Sequence, residues 1–599
     1  MAAKMEEEKR EVQPGGSFLM QETGSVRIAT PEAFTEEQRL FHRAAADFSK
    51  DVVEPLADRI EHKEAGLLPS VLKQAGELGL LMVDLPEKFG GLGGDLTTSC
   101  LISEATARVG SWSVTHGAHV GIGTLPIAYF GTEAQKEKYL PKLATGACIA
   151  AYALTEAGSG SDALGARTRA VLSPEGTHYI LNGTKQYITN AAFADVFVVF
   201  AKIDGEKFTG FIVDRDTPGF TVNAEEHKMG IRGSSTCALT FEDARVPVEN
   251  LLGEIGKGHK IAFNILNIGR LKLGVGVLGG MRAIIEKTLA YARDRKQFGT
   301  PIVDFPLIRE KFARMAALVY ANESMAYRTT GLVDAALAHL DREDPAYSQQ
   351  KIGVIEEYAI EASILKVFGS EALAVVTDEC VQTFGGAGFI EEYPAERSYR
   401  DARINRIFEG TNEINRMLVT GMILKRTMKG QLPFLDFATR VGESLARGET
   451  PKGSGSDALT GCARAAEMVK AMAAFCTQAA AEAHGFELEK HQEILAAIAD
   501  VIAEAYAIDS MVARARQASA SGALDPVAVA MTRLYTTEGH ARALDRARKA
   551  LCCALQGTAL DVALEKVARL YVFEPHDPAA LRETIVEAMI THGGYPSAF

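Results

Sequence analysis

Glu409 is the residue best placed to do chemistry. It stands in RIFEGTNEINR, Arg406 to Arg416, between the apolar Phe408 and the flexible Gly410, just before Thr411 and Asn412, which suit a helix start. A carboxylate in such a loop loses water when a ligand covers it and becomes a stronger base. The wider stretch from Val381, beginning VQTFGGAGF, ends a helix at Gly385 and Gly386 and leads into that loop. Three other stretches carry groups suited to a ligand. YALTEAGSGSDA, Tyr152 to Ala163, offers small residues and hydroxyls whose backbone N–H groups can approach a planar ring or a phosphate. KQYITN, Lys185 to Asn190, sets Tyr187 and Thr189 on one strand face, alternating with Ile188. RDRKQFG, Arg293 to Gly299, ends a helix in cations that would also meet a pyrophosphate. Each has an ordinary counterpart: a first-turn acid, a polar loop, a plain strand, a helix cap. The four together are specific.

These groups need a frame. From Glu36 to Gly110 the apolar pattern is helical, with a Gly-rich break at Lys88 to Asp95. After EKYLPKLATGA come short β-rich runs such as DVFVVFAKI and FTGFIVDR, and Asn182-Gly183 predicts a two-residue hairpin turn. Helical period returns from Gly256: Ile308, Phe312, Met315 and Val319 share one face, as do Ile364, Phe368, Ala372 and Val375. GETPKGSGSDALTG reads as a linker, beyond which Cys462, Ala466, Val469, Ala473 and Cys476 form one stripe and Ile494 to Val512 another. The expected class is an α+β multidomain chain, with an N-terminal helical domain (34–149), a middle β-barrel or sandwich domain (150–252), a helical bundle (256–430) and a C-terminal helical bundle appendix (457–599). Strands segregated in this way exclude a doubly wound sheet.

Several function classes fall away. A net charge of −13 disfavours wholesale nucleic-acid binding. GVGVLGG, Gly274 to Gly280, matches a dinucleotide fingerprint in form, but helix flanks it on both sides, so close helix packing is the better reading. His116 and His119 have no third metal ligand nearby, and the eight cysteines show neither zinc spacing nor a disulfide framework. No run supplies the ~20 uninterrupted apolar residues of a membrane span. MAAKMEEEKREVQPGG resembles neither a secretory signal nor a transit peptide, so a bacterial-type cytoplasmic location is expected, with the inner membrane as a peripheral contact.

In combination, these stretches resemble the acyl-CoA dehydrogenase family, most closely its very-long-chain branch, over roughly Phe34 to Thr427; the long helical tail is similar to that branch too. The resemblance implies three domains around FAD and Glu409 as catalytic base. It implies that Tyr152, Leu154, Thr155, Gly160 and Ser161 hold the flavin ring, and that Tyr187, Ile188 and Thr189 pack beside it, with Tyr187 where many relatives have Trp. Arg295 and Phe298 would meet the FAD tail, with Gln382, Gly385 and Gly386 contributed by a neighbouring subunit, and Thr411, Asn412 and Glu413 would touch FAD after the catalytic loop. Implied substrate contacts are Ser161, Phe263, Asn267, Arg270, Phe408 and Gly410, with no metal. Other branches place the base where this chain has Leu273 and Gly274, neither of which can take a proton.

The implied reaction removes a proton from Cα and a hydride from Cβ of a long-chain acyl-CoA, with the Glu409 N–H helping to polarise the thioester carbonyl and electrons passing to an electron-transfer flavoprotein. Gly117, Ala118, Gly121 and Gly123 fall where relatives bound the acyl tunnel, and small side chains there permit a deep cavity. The tail's stripes suit packing or dimerisation more than membrane contact, and a homodimer is expected. An acyl-CoA oxidase using O2 and a non-catalytic assembly protein on the same fold are the competing readings.

Overall fold

The computed structural model of the chain describes residues 12–344, 346–519 and 523–598. Most of the acidic N-terminal run lies outside them. Among the described residues the N-terminal domain holds α1 (Glu36–Asp47), α2 (Ala57–Glu61), α3 (Leu67–Glu77), α4 (Leu96–Ala105), α5 (Gly110–Gly117), α6 (Leu125–Phe130) and α7 (Glu133–Ala144). Capping boxes start α1 and α7: Thr35 and Thr132 accept from the backbone of Gln38 and Gln135, whose side chains reach back.

The middle domain is one mixed sheet of β1 (Ala150–Ala153), β2 (Arg169–Leu172), β3 (His178–Thr189), β4 (Val196–Ile203), β5 (Lys207–Asp214), β6 (Phe220–Glu225), β7 (Thr236–Pro247) and β8 (Leu251–Leu252). Its order is β6-β7-β3-β2-β4-β5-β8, with β1 joining β4 in parallel. The continuous apolar run of β4 is explained by burial on both faces. Phe197, Val199 and Ala201 enter a core with Trp112 and Leu72, while Val196, Val198 and Phe200 enter another with Tyr139 and Leu140.

The predicted hairpin at Asn182-Gly183 does not form. β3 runs straight through it, and Gly183, at φ 147°, sits at a bulge against β7. Asn182 instead exchanges hydrogen bonds with Asp243 across the pair, donating from Nδ2 at 2.9 Å and accepting its N–H at 2.9 Å. A cross-strand amide thus satisfies what a turn would otherwise have satisfied.

The third region contains α8 (Gly258–Asp294), a short hairpin of β9 (Lys296–Gln297) and β10 (Thr300–Pro301), then α9 (Pro306–Leu337), α10 (Tyr347–Glu357), α11 (Ala359–Phe384), α12 (Pro394–Ala402) and α13 (Asn412–Met428). The glycine fingerprint lies inside α8 as a packing surface. A Cβ at Gly279 would come within 1.9 Å of the Glu104 carbonyl oxygen, and one at Gly274 within 2.8 Å of Leu365 Cβ. α8 is also long and apolar enough to cross a membrane, yet 72% of its most apolar window is buried inside the protein. It is a core helix.

The tail adds α14 (Phe434–Ala446), α15 (Thr460–His484), α16 (Gln492–Gln517), α17 (Pro526–Ala554), α18 (Gly557–Ala568) and α19 (Pro578–His592). α14 falls between the expected domain limits, and its buried Phe434 and Ala438 join the same core as the tail. That core is continuous from α8 and α9 through α15, α16 and α17, so the appendix is fused to the bundle. Charged groups pin the seam: Arg328 on α9 pairs with Asp509 on α16, and Asp509 also accepts from Lys470 Nζ at 2.8 Å. Residues before α1 cross this seam, with Phe18 and Leu19 buried and Thr23 N–H donating to Glu467.

Candidate active site

The loop between α12 and α13 holds Glu409 with φ at 57°, a left-handed conformation that costs a non-glycine residue of order 1 kcal/mol. Three side chains clamp the loop's carbonyls against that cost. Arg270 Nε on α8 donates to the Glu409 oxygen at 3.1 Å, Lys366 Nζ on α11 to the Gly410 oxygen at 2.7 Å, and Asn415 Nδ2 on α13 to the Gly410 oxygen at 2.8 Å and the Thr411 oxygen at 3.0 Å. Thr411 caps α13, accepting from Ile414 N–H. The Glu409 N–H has no partner among the described residues, which leaves it free to meet a ligand oxygen.

The Glu409 carboxylate reaches into a cavity of ≈ 440 Å³ between α8, α5 and the segment that follows α12. Its Oε2 is shielded from solvent and has no hydrogen-bond partner. Burial pushes its pKa up to about 7, against the opposing pull of Arg270 and Lys366. Close approach depends on Gly269, where a Cβ would lie 2.5 Å from Oε2. Asp401 also borders the cavity and is raised to about 6 by burial, but it accepts the Ile231 N–H. Glu54 is held by Arg108 and Lys287. Among the acids facing this cavity, Glu409 combines raised basicity with an unpartnered oxygen.

The structure gathers the expected residues into two groups. Thr189, Phe408 and Glu409 line the cavity together. Beside them, a bulge in β3 turns Tyr187 outward with φ at 60° and 62% exposure, offering its ring to a flat ligand. Tyr152 is buried with its hydroxyl unpartnered. The loop after β1 leaves open space around Gly160, with Ser161 exposed, and is tethered at Thr155 by the N–H of Gln186. Leu154 is buried, and its carbonyl accepts from Lys185. Exposed Glu413 completes this side.

The second group sits at the far end of α8. Arg295 caps that helix, Phe298 is 96% exposed at the tip of the β9-β10 turn, and Gln382, Gly385 and Gly386 lie exposed where α11 ends, its Phe384 ring stacked on Tyr291 at 4.3 Å. Gly269 and Arg295 are 26 residues apart along α8, about 39 Å at 1.5 Å per residue. Arg295 and Phe298 lie at the same end of the bundle as Gln382, Gly385 and Gly386, the residues that the resemblance assigns to a neighbouring subunit.

Some expected contacts are occupied otherwise. Ile188 is turned into the β core, which leaves its backbone as the part that faces the Tyr187 side. Asn412 is saturated, accepting from Lys366 and donating to Ser370 and Glu371, so it anchors α13 to α11. Asn267 accepts from Arg270 at 2.9 Å, and together they brace the loop. Neither Asn267 nor the exposed Phe263 lines the cavity. Gly410, at φ 79°, allows the turn that the clamps require. Gly117, Ala118 and Gly121 do line the cavity, whereas Gly123 is packed against Ala150. His116 and His119 are core histidines, their Nε2 atoms bonded to the carbonyls of Leu80 and Leu143 and their pKa values lowered to about 4 by burial.

Sequence reasoning missed Lys366, Asn415, Gly269 and the buried Lys185–Glu156 pair at 2.7 Å, which fixes the Thr155 loop. A lone cation in the apolar run SILKVFG was the available signal for Lys366.

Comparison with known proteins places each domain. Family models described as acyl-CoA dehydrogenase N-terminal, middle and C-terminal domains match residues 35–147, 151–244 and 256–424, and a further acyl-CoA dehydrogenase C-terminal model matches 468–569. A probable acyl-CoA dehydrogenase of Bacillus subtilis is 48% identical, over 94% of this chain and 96% of its own. The human mitochondrial very long-chain specific acyl-CoA dehydrogenase is 38% identical, over 85% of this chain and 79% of its own. The crystal structure of an acyl-CoA dehydrogenase complexed with FAD from Bacillus anthracis superposes with a TM-score of 0.94 at 46% identity, covering 97% of this chain and all of that one.

Proposed function

The chain belongs to the acyl-CoA dehydrogenase family, FAD-dependent oxidoreductases acting on CH–CH bonds, and from that premise we propose that it desaturates long-chain acyl-CoA thioesters with Glu409 as the base. The observation that carries this reading is the unpartnered Glu409 oxygen at the wall of the ≈ 440 Å³ cavity. FAD, when bound, supplies the acceptor for the hydride leaving Cβ. The residues that would hold its ring are Tyr152, Thr155, Gly160, Ser161, Tyr187 and Thr189, a fit supported by the outward Tyr187 ring and the open space at Gly160.

The chain's own steps follow from the loop. The substrate's acyl chain enters the cavity beside a Glu409 carboxylate that burial has already made more basic, and covers the cavity against water. The Glu409 N–H donates to the thioester oxygen as negative charge builds there. Glu409 then takes the Cα proton, while Arg270, Lys366 and Asn415 keep the loop from moving. Glu409 must start deprotonated, so the anaerobic rate of flavin bleaching is expected to rise with pH through a single step near 7 and level off above it. A flat profile between pH 5.5 and 8.5 contradicts the assignment.

Long substrates are supported by the cavity's reach. It is lined along α8 from Gly269 to Lys287, 18 residues or about 27 Å. A side chain at Gly121 would enter it, since a Cβ there meets nothing within 4 Å. Gly121→Leu is expected to lower kcat/KM for palmitoyl-CoA about 50-fold, the cost of excluding some three methylenes at about 0.8 kcal/mol each, while octanoyl-CoA turnover stays close to the parent's.

We further propose a homodimer, in which the far-end group of one subunit meets the FAD of the other, and electron-transfer flavoprotein as acceptor. The exposed Phe298, Phe389 and Ile390 support the first. Turnover with palmitoyl-CoA should require an added acceptor; peroxide formed in step with turnover in air would favour an oxidase. No bleaching with any acyl length would leave an assembly role.

A further inference from the structure

The tail's polar contacts run back to the loop that carries Glu409. Asp500, on α16 of the tail, accepts from Arg416 Nε on α13 at 2.6 Å, and its other oxygen lies 3.4 Å from Arg546 on α17. The same Arg416 guanidinium grips Glu371 on α11 with two bonds of 2.8 Å, a bidentate fork that fixes both direction and distance. Glu371 Oε1 accepts from Asn412 Nδ2 at 2.9 Å. Asn412 Oδ1 in turn accepts from Lys366 Nζ at 2.7 Å, and Lys366 donates to the carbonyl of Gly410, the residue after Glu409. A second tie, Thr420 Oγ1 on α13 donating to the Leu495 carbonyl on α16 at 2.8 Å, holds the two helices in register.

We propose that Asp500 is a positioning residue for the reaction: the C-terminal domain sets the placement of Glu409 through Asp500, Arg416, Glu371, Asn412 and Lys366. The inference rests on Glu409 being the base. Arg416 lies one turn into α13, and the loop that presents Glu409 ends at the cap of that helix. Fixing the guanidinium from both sides therefore fixes the loop's exit. Glu371, itself part-exposed, ties Arg416 only to α11; Asp500, bonded to Nε at 2.6 Å, ties the same guanidinium to α16, so the pair cannot shift together away from the tail. Because the left-handed Glu409 is held against its own conformational preference, a small loss of restraint at the exit is felt at the carboxylate. The tail thus takes part in the chemistry without touching substrate.

The test uses full-length, FAD-loaded protein and palmitoyl-CoA under argon, following flavin absorbance at saturating substrate. Asp500→Ala is expected to slow bleaching about tenfold, with KM within twofold of the parent and the same FAD content. Asp500→Glu is expected to recover most of the rate. A double variant with Glu371→Gln should be no slower than the slower single variant, because both act through Arg416. Parent rates in Asp500→Ala, or a parallel fall in kcat, affinity and thermal stability with no recovery in Asp500→Glu, overturn the proposal. Should Asp500→Ala not fold, Arg416→Lys, which keeps the charge and loses the fork, must show the same kcat-selective loss. Glu409→Gln run alongside separates the two ideas: full bleaching there removes the base assignment and this inference with it, whereas a dead Glu409→Gln beside a fully active Asp500→Ala removes this inference alone.

Discussion

Glu409→Gln is expected to bind FAD and acyl-CoA yet bleach about 10³-fold more slowly than the parent, the middle of the range for losing a general base. The amide preserves size and can still sit in the loop, because Arg270 and Asn415 hold the backbone carbonyls rather than the side chain. What disappears is the proton acceptor. A stability measurement provides an independent check. The carboxyl is at about 7 in the folded chain against an ordinary 4.5, so between those values the native state keeps a proton that the unfolded chain has shed. Stability therefore falls as pH rises across that window and is lowest above 7. Glu409→Gln carries no such burden. It should be more stable than the parent above pH 7, by on the order of 3 kcal/mol, and converge with it toward pH 4.5. Equal melting curves at pH 8 would mean that the carboxylate is solvated and unfit for the role.

Gly269→Ala is the second large effect expected. The added Cβ would fall 2.5 Å from Glu409 Oε2 and 2.8 Å from its Cδ. One of them must move. α8 is packed on several sides, and Gly269 sits one residue before the Arg270 that holds the loop, so the carboxylate is the part that yields. A displacement near 1 Å from the reacting carbon costs roughly 10²-fold. The measurement is single-turnover bleaching with FAD content and acyl-CoA affinity determined in the same preparation. Retained FAD with a fall in rate is the expected pattern; parent activity would show that Glu409 works from another position. Alanine is otherwise favourable in a helix, so reduced helix propensity cannot explain a loss.

Much of this was legible in the chain. The α, β, α order follows from changes in apolar period, and α8 could be recognised beneath its misleading glycines because helical pattern continued on both sides of them. The Asn182-Gly183 turn misled because local preference was outweighed by pairing along β3 and β7. At Ile188 and Asn412 the side-chain surroundings were not legible for a related reason. A motif tells which backbone approaches a ligand but not whether a given side chain faces it, and here one entered the core and the other a hydrogen-bond network.

Sequence by itself determined the types of element and their order and singled out Glu409 as the candidate acid, because apolar periodicity and motif residues are local properties written into adjacent positions. Tertiary structure alone decided that Glu409 is left-handed, dry and clamped, that Gly269 makes room for it, and that Asp500 in the tail lies at the end of its support. Those facts depend on groups such as Asp500 and Lys366, 91 and 43 positions away from Glu409 along the chain, whose meeting is fixed by how the helices pack and by no pattern within any one of them.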